Sequence, residues 1–471
     1  MKILIIEDDN DFVDALKKIV LTISDQAHIT STNNLTKAID LIKNIFFDLI
    51  ILDLNIPVTE YSLDGDPSHG HSAFTNARLE APGTPVIVLT GSSAEDFIDS
   101  MLRMGERTDI WGGGIPMQLV AFHPKHKLDS FPKTLKEYTS NILSLRDIEL
   151  QRNNLDLSEA EDRLIRIFTR RVNGVLCNIE KISSGLSDSN VFRLTITNDG
   201  GGLVHDTVCK IAKANLIIDE NNRYTRYISR LKPEATPRKL AALEHGAKNI
   251  AGVFYGLADG FSQNAFSTEP MSLYSETMIS ALASLLHNWR TDNQERIPIA
   301  DIRRRVLDDT NLNQISADHD ISWLVNFEAQ KIQVKWGCAH GDLHGLNILI
   351  SNSRTPILID YGDAGDGPSS LDPITLEFSI FFHPDGPLRD SDWPTEDQSR
   401  NWGDLGMYLV NCPFPDFVKA CRSWALEVAA GEREVAAVAY SYFVRQLKYK
   451  TTNHARSLSL IEGAKIYYDK T

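Results

Sequence analysis

The chain has 471 residues, 42% apolar and 24% charged, with 63 acidic against 48 basic side chains and a net charge of −15. These values exclude wholesale disorder and a collagen-like chain, and at roughly 150 residues per domain the length allows about three compact units. The negative charge argues against a general nucleic-acid binder, which needs a basic footprint.

Residues 1–130 alternate short apolar runs with amphipathic stretches. The runs are Ile3–Ile6, Ala27–Ser31, Leu49–Leu52, Val86–Leu89 and Leu119–Phe122. Their near-continuous apolar character predicts buried parallel strands. Phe12, Ala15, Leu16, Ile19, Val20 and Ile23 recur at helical spacing between the first two runs, and Ala38, Leu41, Ile42 and Ile45 repeat the pattern after the second. Five strands alternating with helices predict a doubly wound α/β sheet, with functional groups collected beyond the carboxyl ends of its strands.

The strand ends carry chemistry. Glu7, Asp8 and Asp9 follow the first run, Asp53 the third, Thr90 the fourth and Lys125 the fifth. Several carboxylates at one edge suit Mg²⁺, a hard cation that takes one or two of them plus water. A carboxylate beside that metal can attack a phosphoryl group, and a hydroxyl and an ammonium can bind its oxygens. This order of acidic pair, strand-end Asp, strand-end Thr and late Lys resembles the receiver domain of bacterial response regulators. The resemblance implies Asp53 as phosphoacceptor, Asp8 and Asp9 with Asp53 as Mg²⁺ ligands, and Thr90 and Lys125 as switch residues. Lys127 competes with Lys125. Val58–His69 reads as an insertion after the Asp53 loop, and Glu106–Pro116 lengthens the path from Thr90 to Lys125.

Residues 131–174 read as a helical connector whose start continues as the last receiver helix. Leu135, Tyr138, Ile142, Leu145 and Ile148 form one apolar stripe. Leu155, Leu157, Leu164, Ile165 and Phe168 form another, open either to a homodimer partner or to packing on its own domain. Residues 175–270 then read as strands Val175–Ser183, Val191–Thr197 and His205–Ala212, with turns at Ser183–Asn190 and Asn198–Gly202. Lys210 sits inside the third strand, where it can reach nucleotide phosphates if an acid such as Glu220 holds it. The alternative is a lysine snorkelling at a strand edge.

Residues 271–471 contain WGCAHGDLHGLNILI (Trp336–Ile350), with Asp342 and Asn347 five apart. Asp360 ends a further apolar strand in ILIDYGDAG (Ile357–Gly365). An Asp and an Asn five apart, followed by a strand-end Asp, suit phosphoryl transfer, which is mostly positioning and charge neutralisation. His340 and His344 could instead bind zinc with an aspartate, but Gly341 and Gly345 argue against the helix that this requires.

HGDLHGLN resembles the catalytic loop of the aminoglycoside phosphotransferase and choline kinase-like family. Ala281–Trp289 resembles a C-lobe helix of that family. Leu371–Ser379, with Asp372 and Glu377, resembles the acidic stretch after the metal aspartate. The resemblance implies a bilobal α+β kinase-like fold over residues 175–450. Asp342 would be the base, Asn347 and Asp360 the Mg²⁺ ligands, and Lys210 with Glu220 the clamp on ATP. Only Gly185 stands where such proteins carry a Gly-rich loop. Asp385, Asp390, Asp392 and Glu396 are candidates to bind a cationic acceptor, or else a solvated surface.

The combined expectation is a phosphorelay response regulator whose receiver, phosphorylated by a histidine kinase or phosphotransfer protein, controls an ATP-dependent phosphotransferase acting on an unidentified acceptor. The alternatives are an inactive kinase-like scaffold and an aminoglycoside-type enzyme. Five scattered cysteines without a CxxC pair point to a reducing cytoplasm. The run Ile3–Ile6 is too short for a signal core, and no membrane span is expected.

Overall fold

The computed structural model describes residues 1–62, 64–91, 107–184, 189–257 and 261–471. Gly185 and the side chain of Thr90 lie outside the described set. The chain divides into two units, Met1–Asn221 with Arg238–Leu257 and Asn222–Pro237 with Ala258–Thr471. No helix among the described residues is long and apolar enough to cross a membrane.

The first unit begins with the expected parallel sheet. Strands β1 (Lys2–Ile6), β2 (His28–Thr32), β3 (Leu49–Leu52), β4 (Val86–Thr90) and a last strand, Val120–Pro124, lie in the order β2-β1-β3-β4-last. Every pairing is parallel, with Ile3 opposite both Ile29 and Leu49, and Val86 opposite both Ile50 and Val120. Side chains alternate between two cores, as a two-residue period requires. Leu4, Ile6, Ile50, Leu52, Val86 and Val88 face Ala38 and Ile42 of helix α2 (Leu35–Asn44) and Ala73, Phe74 and Ala77 of α3 (Pro67–Glu80). Ile3, Ile5, Leu49, Ile51, Ile87 and Leu89 face the other core, with α1 (Asn10–Ile23) and the helix Phe131–Leu143. The described residues of the segment read as an insertion are turn and loop as far as Asp66, which caps α3 by accepting from the amide of Ser68. α3 approaches the Asp53 loop so closely that a Cβ on Gly70 would lie 2.2 Å from Leu54 Cα.

Between β4 and the last strand, β5 (Arg107–Thr108) and β6 (Met117–Gln118) pair antiparallel; the last strand, Val120–Pro124, is β7. Buried Ile110 and Trp111 stand at the tip of this hairpin. Gly112 there has φ +71°, and a Cβ on it would meet the Ile167 carbonyl at 2.2 Å. That carbonyl belongs to the helix Glu159–Arg171, whose start is closed by a capping box of Ser158 and Glu161.

A second sheet in this unit runs β12-β13-β11-β10-β9-β8. It consists of β8 (Glu149–Gln151), β9 (Leu176–Ser184), β10 (Asn190–Thr197), β11 (Leu203–Lys213), β12 (Arg238–Leu243) and β13 (Ile250–Gly256). All its pairings are antiparallel except β8 with β9, so the connector adds an edge strand. The helix Glu159–Arg171 joins the two sheets. Its Leu164, Ile165, Ile167 and Phe168 are fully buried in one core with Ile3, Ile5 and Leu49 of the parallel sheet and Ile179, Leu194 and Phe254 of the antiparallel one. Phe168 stacks on Phe254 at 4.0 Å. The second connector stripe is therefore spent inside the chain and is not left open for a partner.

Among the described residues, the second unit holds two three-stranded sheets. One consists of β14 (Phe261–Asn264), β17 (Ile348–Ser351) and β18 (Pro356–Leu358); the other of β15 (Gln294–Pro298), β16 (Lys331–Ala339) and β19 (Gly365–Pro368). Around them pack helices, of which Leu371–Phe382 is buried at every position. Its apolar side chains pack in the core, and its buried acids Asp372 and Glu377 are kept there by partners within the protein. Bidentate pairs of Arg422 with Glu377 and of Arg303 with Glu328 are buried among these elements.

Replacing Phe168 with Ala removes a ring from the shared core. It is expected to destabilise the first unit by about 3–5 kcal/mol in urea unfolding, whereas Leu79→Ala, at a side chain 72% exposed, changes stability by less than about 0.5 kcal/mol.

Candidate functional site

The carboxyl edge of the parallel sheet gathers one set of groups. Glu7 and Asp8 leave β1, Asp53 leaves β3, and each offers an oxygen within 4.8 Å of the others. Glu7 and Asp53 are buried and Asp8 is exposed. Lys125 Nζ lies 2.7 Å from Glu7 Oε2 and 3.3 Å from Asp53 Oδ2. Burial pushes the Glu7 carboxyl up to about 7, against the pull of the Lys125 ammonium. Buried and exposed carboxylates at one point form the oxygen donor set that Mg²⁺ takes while keeping part of its water shell.

Asp9 is not in this group. Its carboxylate accepts from the amides of Asp11 and Phe12 and caps α1. The acidic pair at the site is Glu7 and Asp8, one position earlier than Asp8 and Asp9. The reason is local: the residue before a helix uses its side chain on the helix's free amides. Lys125 rather than Lys127 reaches the carboxylates, since Lys127 lies in the following turn, where its carbonyl accepts from Ser130 Oγ. Thr90 ends β4, its backbone paired with Pro124.

In the antiparallel sheet of the same unit, Lys210 on β11 pairs with Glu220 at 3.1 Å. Glu220 lies on the helix Ala214–Arg226, is 3% exposed, and also accepts from the Tyr255 hydroxyl.

In the second unit, the loop His340–Asn347 joins β16 to β17 and is braced from below. Buried Asp372 accepts the amides of His340 at 2.8 Å and Gly341 at 3.0 Å. Gly341 has φ +84°, and a Cβ on it would lie 2.5 Å from the Asp363 carbonyl, so only glycine fits. His340 Nε2 contacts the Ile359 carbonyl at 3.0 Å. Asn347 donates its side-chain amide to the Asp342 carbonyl at 2.9 Å, and its own carbonyl accepts from Ile359 N at 3.0 Å. Asp360 follows with φ +59°, a conformation a non-glycine residue holds only when its surroundings impose it. Arg305 supplies part of that by donating to the carbonyls of Asp363 and Asp366, and Arg223 donates to that of Ala364. The Asp342 carboxylate lies 3.7 Å from His344 Nε2 and 3.7 Å from an Arg445 guanidinium nitrogen. Burial lowers the His344 pKa to about 3, so its ring is neutral. Among the described residues the carboxylate, histidine and cysteine group with metal spacing is Glu7, Asp8 and Asp53, and His340 and His344 are not part of it.

Residues 3–109 match the family model of the response regulator receiver domain. The N-terminal part of the chain is a receiver domain. Among solved structures, the chain is similar to a CheY-like receiver domain protein from Methanospirillum hungatei JF-1, at 20% identity over 30% of this chain and 97% of that one, with a TM-score of 0.22. It is also similar to the receiver domain of sensor histidine kinase PA1611 from Pseudomonas aeruginosa PAO1, which has magnesium coordinated in its active-site cleft, at 16% identity over 29% and 97% of the chains, with a TM-score of 0.20. A thermostable mutant of aminoglycoside phosphotransferase APH(4)-Ia is similar over 62% of this chain and 94% of that one, at 14% identity and a TM-score of 0.34. No curated protein matches the chain.

Two residues near the proposed chemistry escape a reading of the sequence. Glu7 was visible in the receiver's acidic run, but the helix start that removes Asp9 was the signal needed to choose it. Arg445 lies on the distant helix Glu432–Gln446 and carries no local signal. Of the two acids in the Leu371–Ser379 stretch, Asp372 braces the loop, while Glu377 is consumed by Arg422 and the Trp402 indole.

Millimolar Mg²⁺ is expected to raise the thermal midpoint of the full chain, and Glu7→Gln should remove most of that rise. Asp9→Ala should retain the Mg²⁺ response while costing about 1 kcal/mol through its lost helix cap. The opposite pattern would return the metal to Asp9.

Proposed function

We propose that the chain is a phosphorelay response regulator in which a receiver phosphorylated at Asp53 controls an ATP-dependent phosphotransferase built on Asp342, Asn347 and Asp360. The observation that carries the phosphotransferase reading is the bonding of the His340–Asn347 loop. Asn347 is tied to Asp342 through its side chain and to Ile359, next to Asp360, through its backbone. Three groups held as one set suit a reaction that depends on positioning.

In this reading the acceptor hydroxyl gives its proton to Asp342 as its oxygen bonds to the γ-phosphorus of ATP. ADP leaves with the electron pair of the broken P–O bond. Lys210, steadied by Glu220, binds the α- and β-phosphates. At the receiver, a carboxylate oxygen of Asp53 attacks the phosphohistidine of a cognate histidine kinase or phosphotransfer protein. The P–N bond breaks and an acyl phosphate forms. Lys125, already paired with Asp53, then binds the added phosphoryl oxygens together with Thr90. Mg²⁺, when held by Glu7, Asp8 and Asp53 and by Asn347 and Asp360, neutralises phosphate charge at each site.

Control by the receiver is supported by packing within the first unit. β4, which ends in Thr90, pairs with β7, which precedes Lys125, and the β5–β6 hairpin leads directly into β7. That hairpin rests on the helix Glu159–Arg171, and the helix shares a core with the sheet that carries Lys210. A rearrangement at Thr90 and Lys125 therefore has a contiguous packed route to the nucleotide lysine. The same reading has the protein working in the cytoplasm of a bacterium, where phosphorelay donors act.

Acetyl phosphate with Mg²⁺ should place a hydroxylamine-sensitive phosphate on the wild type and none on Asp53→Asn; equal labelling of both sinks the phosphoacceptor role. Asp342→Asn should lower ATP turnover by about 10²–10⁴-fold while keeping the thermal stabilisation by Mg·ATP, and Asp360→Ala should lose that stabilisation. A wild type not stabilised by millimolar Mg·ATP would instead identify the second unit as a scaffold.

A further inference from the structure

The immediate surroundings of Asp342 carry an unexpected charge. Arg445, in the last turn of the helix Glu432–Gln446, sets its guanidinium 3.7 Å from Asp342 Oδ1. His344 stands on the other side, 3.7 Å from Oδ2, with its ring 4.3 Å from that of His383. The acids that would suit a cationic acceptor are not gathered here. Asp385, the only one of them with a described link to this cluster, is 72% exposed and contacts His383 at 3.8 Å; Asp390, Asp392 and Glu396 are exposed.

Arg445 also differs from the structural arginines of the same unit. Arg303 and Arg422 are 2% and 3% exposed, and each closes a two-pronged pair with a glutamate at 3.0 Å or less. Arg445 keeps 20% of its side chain exposed; its ion pair among the described residues is the single 3.7 Å approach to Asp342, and its other side-chain partner is Tyr449, which is not a carboxylate. A guanidinium fork fits the paired oxygens of a carboxylate or phosphate. Next to the residue proposed to take the acceptor's proton, it is in place to hold an anionic group of that acceptor.

We infer that the phosphoryl acceptor is a hydroxyl compound bearing a carboxylate or phosphate group, bound by Arg445 beside Asp342. This rests on the phosphotransferase reading. The transfer balances as that reading requires: the acceptor oxygen bonds to the γ-phosphorus, the β–γ bridging P–O bond breaks toward ADP, and the hydroxyl proton passes to Asp342. Arg445 gains no bond to the transferred group; it orients the acceptor. An ammonium in its place would meet a like charge.

The test is calorimetric titration of the full chain, with Mg²⁺ and a non-hydrolysable ATP analogue, by glycerate, glycerol 3-phosphate, glycerol and ethanolamine. One or both anionic probes should bind at least tenfold tighter than glycerol and ethanolamine, and which of them binds separates carboxylate from phosphate. Arg445→Gln should weaken that binding at least tenfold, and Arg445→Lys, which keeps the charge but loses the fork, should weaken it less. Thermal melting confirms that each variant is folded, and Arg445→Lys serves alone if the glutamine variant is not. Failure of both anions to bind, equal binding to the wild type and the variants, or tighter binding of ethanolamine overturns the inference. ATP turnover, with Asp342→Asn as its control, is read separately. Anion binding without turnover sinks the phosphotransferase and not the anion site, and turnover without anion preference does the reverse.

Discussion

The helix Glu159–Arg171 has apolar side chains buried on a parallel sheet and on an antiparallel one, and the first unit depends on that double burial. Leu164, Ile165, Ile167 and Phe168 contribute to a single core drawing on both sheets. Burial of apolar area is non-directional, so polar contacts decide how the helix sits. Arg163 pairs with buried Asp48 at the foot of β3, Lys2 reaches Glu159, and Glu161 accepts from Asn190 on β10 as well as closing the cap. The receiver is consequently built into the sheet that follows it, and its neighbour is fixed by packing, with no free tether between them.

The two sites handle buried charge differently. At the receiver edge, Glu7 and Asp53 lie close together and share the Lys125 ammonium, and burial leaves Glu7 with a raised pKa. Three carboxylates at one point suit a divalent cation. In the second unit the deeply buried acids are fully engaged by the protein. Asp372 takes two backbone amides, and Glu377 takes a guanidinium and an indole. Such acids shape the loop that presents Asp342, whose own carboxylate stands beside Arg445 and His344.

Much of the first sheet was legible in the sequence. Each of the five apolar runs became a strand in the expected parallel sheet, because strands covered on both faces leave a continuous apolar signature that local composition cannot hide. Asp53 and Lys125 came to one edge for the same reason, since parallel strands all end on one side. Less legible was the choice among three consecutive acids. Asp9 differs from Asp8 in standing where a helix begins, and the cap takes it out of the carboxylate cluster of Glu7, Asp8 and Asp53. The β5–β6 hairpin was read as lengthened polar sequence, although Trp111 at its tip is buried against a helix whose other partners lie far along the chain.

By itself, the sequence determined the strand order's raw material, the two carboxylate-bearing motifs and the residue types suited to phosphoryl chemistry, since these are carried by short-range patterns. Only the tertiary structure decided which carboxylates share a point, that the connector stripe is buried inside the first unit, and that Arg445 stands beside Asp342. Those facts depend on which distant segments meet, and contacts across 100 or so residues leave no periodicity in the chain for a local reading to detect.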